Sequence, residues 1–356
     1  MVDRQAIFGG TEPPPTHLAL EPAALRRFLA PRLPGMDGAI DVVKFKGGQS
    51  NPTYRLEGPG ACYVLRRKPP GMLVATAHAI DREYRVIEAL HAVGIPVPRP
   101  FLYCADEGVI GSEFYIAECV EGRVFWQAEL PGLPPADRAA VYDGMNAVLA
   151  RLHELDVDAI GLGDLGRREG YTARNLRRWS GIYKQSELIA IPDMDWLIEA
   201  LPARLPAAEP STFIHGDYGL YNLILHPTEP RLLAVLDWEM ATIGDPLVDL
   251  AHHLRAWWDI PDPHGSASSL VGHDLFALGI PDMATYVERY ARRRGMGIPD
   301  MRFHLAYAQF RYAAMVQGIL KRAQDGTASS RVMLHRQERV QQIARLARQT
   351  LGQTLR

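Results

Sequence analysis

Phe213-Ile214-His215-Gly216-Asp217-Tyr218-Gly219-Leu220-Tyr221-Asn222 sets a carboxylate two residues after a histidine and a carboxamide five residues after that carboxylate. Transfer of a phosphoryl group to an alcohol needs an acceptor for the hydroxyl proton and an oxygen ligand for magnesium. An H-x-D-x-x-x-x-N loop offers both from one short segment. Asp217 fits the base and Asn222 a metal ligand, with His215 placed beside Asp217 in the catalytic set. Fifteen residues after Asn222, Val235-Leu236-Asp237-Trp238-Glu239 reads as a buried strand ending in a carboxylate, where a principal magnesium-binding aspartate belongs. Asp237 fits that role. Either segment alone is also what a turn contains, because His, Asp and Asn bond readily to nearby backbone. Their order, their spacing and their position after a β-rich half favour the chemical reading. Glu239 is either a further ligand or a strand-end acid in a salt bridge. Asp249, behind Gly244-Asp245-Pro246, reads as a helix-start acid that braces the loop.

Upstream, a short helix is expected near Pro22 to Leu29. Ile40 to Arg67 shows β-rich runs broken by Gly47-Gly48 and Gly58-Pro59-Gly60, the pattern of antiparallel strands joined by turns. Ile80, Tyr84, Ile87 and Leu90 recur at helical spacing before Gly94 and Pro96, so one helix packs on that sheet. Phe114 to Val120 alternates as another strand, and a hinge is expected at Glu118 to Gly122. Beyond it helical periodicity dominates, over about Ala136 to Leu155, Leu247 to Trp258, Met283 to Arg294, Phe303 to Ala323 and Met333 to Leu351, with a β-rich pair around Leu223 to Leu236. The reading is an α+β, bilobal arrangement: residues 1–120 form a small antiparallel β lobe and residues 121–356 a mostly helical one. A chain of 356 residues suits two lobes better than one core.

Composition narrows the function classes. A net charge of −2 with 22% charged and 47% hydrophobic residues argues against whole-surface attraction to nucleic acid or acidic membrane. The start carries no basic segment followed by an apolar core, and no apolar run approaches the roughly 20 residues that span a bilayer, so the expectation is a cytoplasmic protein. Cys62, Cys104 and Cys119 are odd in number and form no C-x-x-C, which leaves them as reduced thiols.

Two motifs point elsewhere. Gly161-Leu162-Gly163-Asp164-Leu165-Gly166 matches the G-x-G-x-x-G of dinucleotide sites, but a helical pattern precedes it where a strand is required, and Arg167-Arg168-Glu169-Gly170 follows. The pair His252-His253 invites a metal reading. Neighbours on a helix point about 100° apart, and H-E-x-x-H is absent, so packing is the expected role.

Through His215-Gly216-Asp217, Asn222 and Leu236-Asp237-Trp238-Glu239, the sequence resembles the aminoglycoside phosphotransferase and choline kinase superfamily over roughly Val42 to His253. Phe45 to Tyr54, Tyr63 to Gly71 and Gly161 to Gly166 resemble more closely the kinase-like domain fused to some acyl-CoA dehydrogenases. The resemblance implies a protein kinase-like fold with ATP and Mg2+ as cofactors. It implies a phosphate-covering loop at Gly47, Gly48, Ser50 and Asn51, whose backbone amides would cradle phosphate without the G-x-G-x-x-G of protein kinases. The basic residue on the third strand aligns with Arg66 rather than a lysine, and its partner on the following helix is Glu83. Glu118 to Val120 would offer backbone hydrogen bonds to adenine.

For the acceptor, aminoglycosides would call for an acidic pocket, whereas Met301 to Arg356 holds ten Lys or Arg against two Asp or Glu, and Arg174, Arg177 and Arg178 flank Trp179. Such charges are ordinarily a solvated helix face, yet they suit an anionic ligand better than a cation. The resemblance implies a small-molecule hydroxyl acceptor in the form of a hydroxyacyl-CoA. Two other readings compete: an idle kinase-fold module that binds a separate acyl-CoA dehydrogenase, and a dehydrogenase itself. An idle module need not retain Asp217, Asn222 and Asp237, and a flavin dehydrogenase would need domains for which no length remains.

Overall fold

The computed structural model describes residues 9–46, 51–69, 80–261, 268–325 and 337–352. Gly47, Gly48 and Ser50 of the expected phosphate loop lie outside the described residues. The chain runs β1 (Thr11–Glu12), α1 (Pro22–Leu29), β2 (Asp41–Phe45), β3 (Thr53–Glu57), β4 (Cys62–Arg67), α2 (Ile80–Ala92), β5 (Pro100–Cys104) and β6 (Phe114–Glu118). These strands form one antiparallel sheet in the order β1-β2-β3-β4-β6-β5. Alternation along β4 sends Tyr63 and Leu65 to one face, where they join Leu25 and Leu29 of α1, Tyr54, Leu56 and Ile116 in a core of their own. The other face carries Arg66, opposite Tyr115 of β6, and is covered by α2. α2 buries Ile80, Glu83, Val86, Ile87 and Leu90, spaced by three and four as one helical face requires.

The second half contains α3 (Pro135–Leu152), α4 (Tyr171–Ser186), α5 (Pro192–Ala200), β7 (Thr212–Ile214), β8 (Leu223–Leu225), β9 (Leu232–Val235), β10 (Thr242–Gly244), α6 (Pro246–His253), α7 (Arg255–Trp258), α8 (Leu275–Leu278), α9 (Met283–Arg293), α10 (Arg302–Gln324) and α11 (Gln337–Gly352). α10 is buried around most of its circumference and packs against α4, α6 and α11, which makes it the axis of this half. Its core runs on into the α2 side of the sheet through Val86, Leu90, Tyr115 and Ala117. Among the described residues no helix is long and apolar enough to cross a membrane.

Two small ribbons position the chemistry. β7 pairs with β10 and β8 pairs with β9, so the link from β7 to β8, which carries Asp217, lies beside the link from β9 to β10, which carries Asp237. Leu236 N donates to Asn222 O at 2.8 Å and fastens one link to the other. The glycines at 161–166 form turns, with Leu162 and Leu165 buried and the next helix opening only at Tyr171. Arg85 of α2 bonds to Gly161 O at 2.6 Å and pairs with Asp164, so this loop docks a helix and does not open one.

Candidate active site

Asp249 organises the loop that holds Asp217. α6 starts at Asp245, whose side chain caps Leu247 N at 2.8 Å with Pro246 in the first turn. One turn on, the buried Asp249 carboxylate accepts His215 N and Gly216 N, each at 2.8 Å, and His153 Nε2 at 3.2 Å. Burial would raise its pKa, but the His153 bond and these neighbours hold it down at about 2. Gly216 has φ +83°, and a Cβ there would sit 2.7 Å from Met240 O, so the loop passes this point only without a side chain.

His215 is fully buried with both ring nitrogens engaged: Nδ1 accepts Asp217 N at 3.2 Å and Nε2 donates to Leu236 O at 3.0 Å. Its ring lies 4.4 Å from that of Trp238. Placed with Asp217 in the catalytic set on sequence grounds, it is sited as a strut between the two links. A side chain that reaches substrate would need an open nitrogen.

Asp217 is held on both oxygens. Tyr221 OH donates to Oδ1 at 2.7 Å and His252 Nε2 lies 2.8 Å from the same atom, while Asn222 Nδ2 donates to Oδ2 at 3.2 Å and to Asp217 O at 3.0 Å. Burial alone would raise this carboxyl, but the His252 and Tyr221 bonds and the nearby His215 bring it well below the usual carboxylate range. Burial and the Asp217 charge push Tyr221 far up, so it remains a donor. Asn222 spends its amide nitrogen on the loop.

Asp237 begins the second link in a left-handed conformation, φ 66° and ψ 63°, one of two non-glycine residues with positive φ among those described. Such strain costs about 1 kcal/mol or more and is retained where a side chain must be aimed. The aim is at Arg66. Its Nη2 donates to Asp237 Oδ1 at 2.6 Å and reaches Glu239 Oε2 at 3.5 Å, and its Nε donates to Glu83 Oε2 at 3.0 Å. Tyr115 OH donates to Glu83 Oε1 at 3.2 Å, and Asn51 Nδ2 lies 3.5 Å from Glu239. Burial would lower the guanidinium's pKa, but Glu83 and Asp237 raise it well above its usual value.

The structure therefore brings together Asp217, His215, Asn222, Asp237, Arg66, Glu83 and Asn51. Glu118 and Val120 lie where the chain leaves β6, with Glu118 N bonded to Arg99 O at 2.8 Å. Cys62 and Cys119, the next pair along the β4–β6 ladder, are within hydrogen-bonding reach, and burial pushes the Cys119 thiol up to about 12. Among the described residues no cluster of three His, Cys, Asp or Glu side chains could hold a metal. A cation held by one carboxylate, one carboxamide and a ligand's phosphates needs no such cluster.

The sequence reading gave Tyr221, Arg255 and Arg311 no role of their own and expected His252 to serve in packing, whereas the structure sets its Nε2 2.8 Å from Asp217 Oδ1. Arg311 Nη2 donates to Gly216 O at 3.1 Å, and Arg255 lies over the Tyr221 ring at 5.6 Å and the Tyr312 ring at 4.9 Å. A small cavity of about 40 Å³ beside them is lined by Trp126, Tyr221, His252 and Arg255 among others. The signal for His252 was present: it stands three residues after Asp249, hence on the same face of α6. His253 turns away and bonds Tyr286 OH at 2.7 Å in the core.

Comparison with known proteins fits this geometry. The family model for the phosphotransferase enzyme family matches residues 41–305. The chain belongs to the phosphotransferase enzyme family. A crystal structure of a Ralstonia eutropha protein provisionally assigned to the aminoglycoside phosphotransferases is 43% identical, with a TM-score of 0.85 over 95% of this chain and 100% of that one. Spectinomycin phosphotransferase, solved with ADP and spectinomycin, is only 13% identical and shares the fold at a TM-score of 0.63, covering 93% of this chain and 99% of that one. The architecture is thus the bilobal, kinase-like α+β fold. Acyl-CoA dehydrogenase family member 11 of Rattus norvegicus is 39% identical over 340 residues, 93% of this chain, and family member 10 of Mus musculus 39% over 324 residues, 90% of this chain. The chain spans 43% and 30% of the length of those two proteins.

Proposed function

We propose that the chain is an ATP-dependent, magnesium-assisted kinase that phosphorylates a hydroxyl group of a small molecule, with a hydroxyacyl-CoA as the acceptor class. The observation that carries the proposal is the pair of adjoining links: one bears the clamped carboxylate Asp217 and the Asn222 carboxamide, the other a second carboxylate, Asp237, and the bond from Leu236 N to Asn222 O ties them together. Residues 1–120 serve as the nucleotide-binding lobe and residues 121–356 as the catalytic and acceptor lobe, with Glu118 and Val120 giving backbone bonds to adenine.

Asn222 and Asp237 would hold the Mg2+, which when bound offsets the negative charge of the nucleotide's phosphates. Arg66, steadied by Glu83, neutralises phosphate oxygens, and backbone amides near Asn51 cover them. Asp217 orients the acceptor hydroxyl in line with the transferred group and takes its proton. His215 and Asp249 fix the loop in which Asp217 sits.

The acceptor class draws on two observations. Arg255 and Arg311 stand beside the Asp217 loop among Trp126, Tyr221 and Trp179, a basic and aromatic wall suited to an anionic organic molecule. The relatives named above are acyl-CoA dehydrogenase family members, in which a hydroxyacyl thioester would meet an acyl-CoA chemistry nearby.

Thermal unfolding with and without Mg-ATP, followed by turnover on a panel of 3- and 4-hydroxyacyl-CoAs, tests the reading. Ligand at 100 times its dissociation constant stabilises by about 2.7 kcal/mol. Wild type should shift only with magnesium present, Asp237→Ala should not shift, and Asp217→Asn should bind nucleotide yet lose turnover. Shifts in neither protein would favour an idle module that binds a separate dehydrogenase. Phosphorylation of a sugar or amino alcohol in place of the thioesters would remove the acceptor class.

A further inference from the structure

The face of α6 turned to the 215–222 loop bears two polar side chains with different tasks. Asp249 holds the loop's backbone. His252, three residues on, reaches past it to the carboxylate itself, with Nε2 2.8 Å from Asp217 Oδ1 and its side chain 11% exposed. Tyr221 OH donates to the same oxygen at 2.7 Å. The other oxygen, Oδ2, meets only the Asn222 amide among the described residues, at the longer distance of 3.2 Å.

We propose that His252 is a positioning residue for phosphoryl transfer: its neutral imidazole donates Nε2–H to Asp217 Oδ1 and, with Tyr221, stops the carboxylate from rotating, so that Oδ2 is the oxygen presented to the acceptor hydroxyl. The proposal rests on Asp217 being the base. An aspartate's terminal torsion has a broad, shallow preference, so an unclamped carboxylate samples many orientations of which few face the hydroxyl. Two short bonds to one oxygen remove that freedom before substrate arrives, and small misplacements of a reacting group are expensive in rate.

A neutral donor also suits the chemistry. An imidazolium in the same place would hold Asp217 as a full ion pair and weaken it as a proton acceptor. The surroundings prevent this. Burial, with the Arg311 guanidinium of α10 and Arg255 of α7 close by, drives His252 below its usual pKa against the pull of Asp217.

The test compares His252→Leu, which deletes the donor, with His252→Gln, whose amide nitrogen reaches the place of Nε2. Full-length proteins are assayed with Mg-ATP and a hydroxyacyl-CoA that wild type phosphorylates. A lost hydrogen bond to a charged group corresponds to about a ten- to hundredfold fall in kcat for Leu, and Gln should recover to within about threefold of wild type. The KM for nucleotide should stay within about twofold in both. Equal kcat in wild type and the Leu variant, or a Gln variant as slow as Leu, overturns the proposal while leaving the kinase reading intact. A wild type that phosphorylates no acceptor removes the kinase reading and this proposal with it. Should the Leu variant fail to fold, ring-nitrogen chemical shifts of wild type decide: a protonated Nε2 with a bare Nδ1 at neutral pH is required, and an imidazolium or the opposite tautomer refutes it.

Discussion

Replacing Asp249 by Ala removes the acceptor of two buried backbone N–H groups, from His215 and Gly216, each bonded at 2.8 Å, and of the His153 bond at 3.2 Å. A buried donor left without a partner costs about 1–3 kcal/mol, so the two amides and the imidazole together predict a loss of about 3–5 kcal/mol. Denaturant unfolding of wild type and Asp249→Ala at pH 7 measures it. A second arm uses pH. The carboxyl's folded pKa of about 2 lies below its unfolded value of about 3.9, so its ionised form contributes about 2–3 kcal/mol of stability at pH 5 and above. A depressed carboxyl loses that contribution as pH falls through its folded pKa, and about 1 kcal/mol of it should be gone by pH 3. The stability gap between wild type and Asp249→Asn should therefore narrow on acidification from pH 5. If Asp249→Ala unfolds at the wild-type midpoint, or if the gap to Asp249→Asn widens as pH falls, the brace does not carry the loop and the argument fails.

Two further outcomes follow from the site. Gly216→Ala, placed at φ +83° with its Cβ 2.7 Å from Met240 O, should lower turnover more than nucleotide binding, since it displaces Asp217 and leaves Asp237 in place; unchanged kcat would contradict it. Arg66→Lys shortens the planar fork that joins Glu83 to Asp237 to a single ammonium, and should raise the KM for nucleotide several-fold at similar kcat, measured by steady-state kinetics with saturating acceptor.

Much of this was legible in the sequence because short-range signals were strong. Glu21-Pro22 and Gly94 mark helix ends that the structure places at Pro22–Leu29 and Ile80–Ala92, and the Gly-rich breaks after Phe45 and Glu57 separate real strands. Arg66 and Glu83 are found paired, as the family resemblance implied. The expected helix from Leu247 to Trp258 is broken at Leu254 into two, since its hydrophobic positions continue while the backbone turns. Helices at Tyr171–Ser186 and Pro192–Ala200, and strands at Pro100–Cys104 and Thr212–Ile214, went unread. Tyr171–Ser186 is rich in arginine and polar residues that mask its buried Leu176 and Tyr183. Thr212–Ile214 is too short for periodicity to register and pairs with a partner distant in sequence, Thr242–Gly244, while Pro100–Cys104 shows no alternation of apolar and polar residues. His252 was passed over for a related reason: its partner is 35 residues away, and the adjacent His253 made a packing pair the simpler account.

The Arg66 guanidinium has a mechanical consequence. One rigid plane is anchored to Glu83 on the small sheet's helix by one edge and to Asp237 on the far ribbon by the other. A displacement of one half against the other would strain that plane at one anchor or the other. The Glu83 side is the deeper and is held again by Tyr115, which leaves the contact with Asp237 as the one that yields. That contact is one tie among several between the halves, beside Arg82 to Ala241 O and Arg85 to Gly161 O, and anything that engages Asp237 Oδ1 must compete with Arg66 for it.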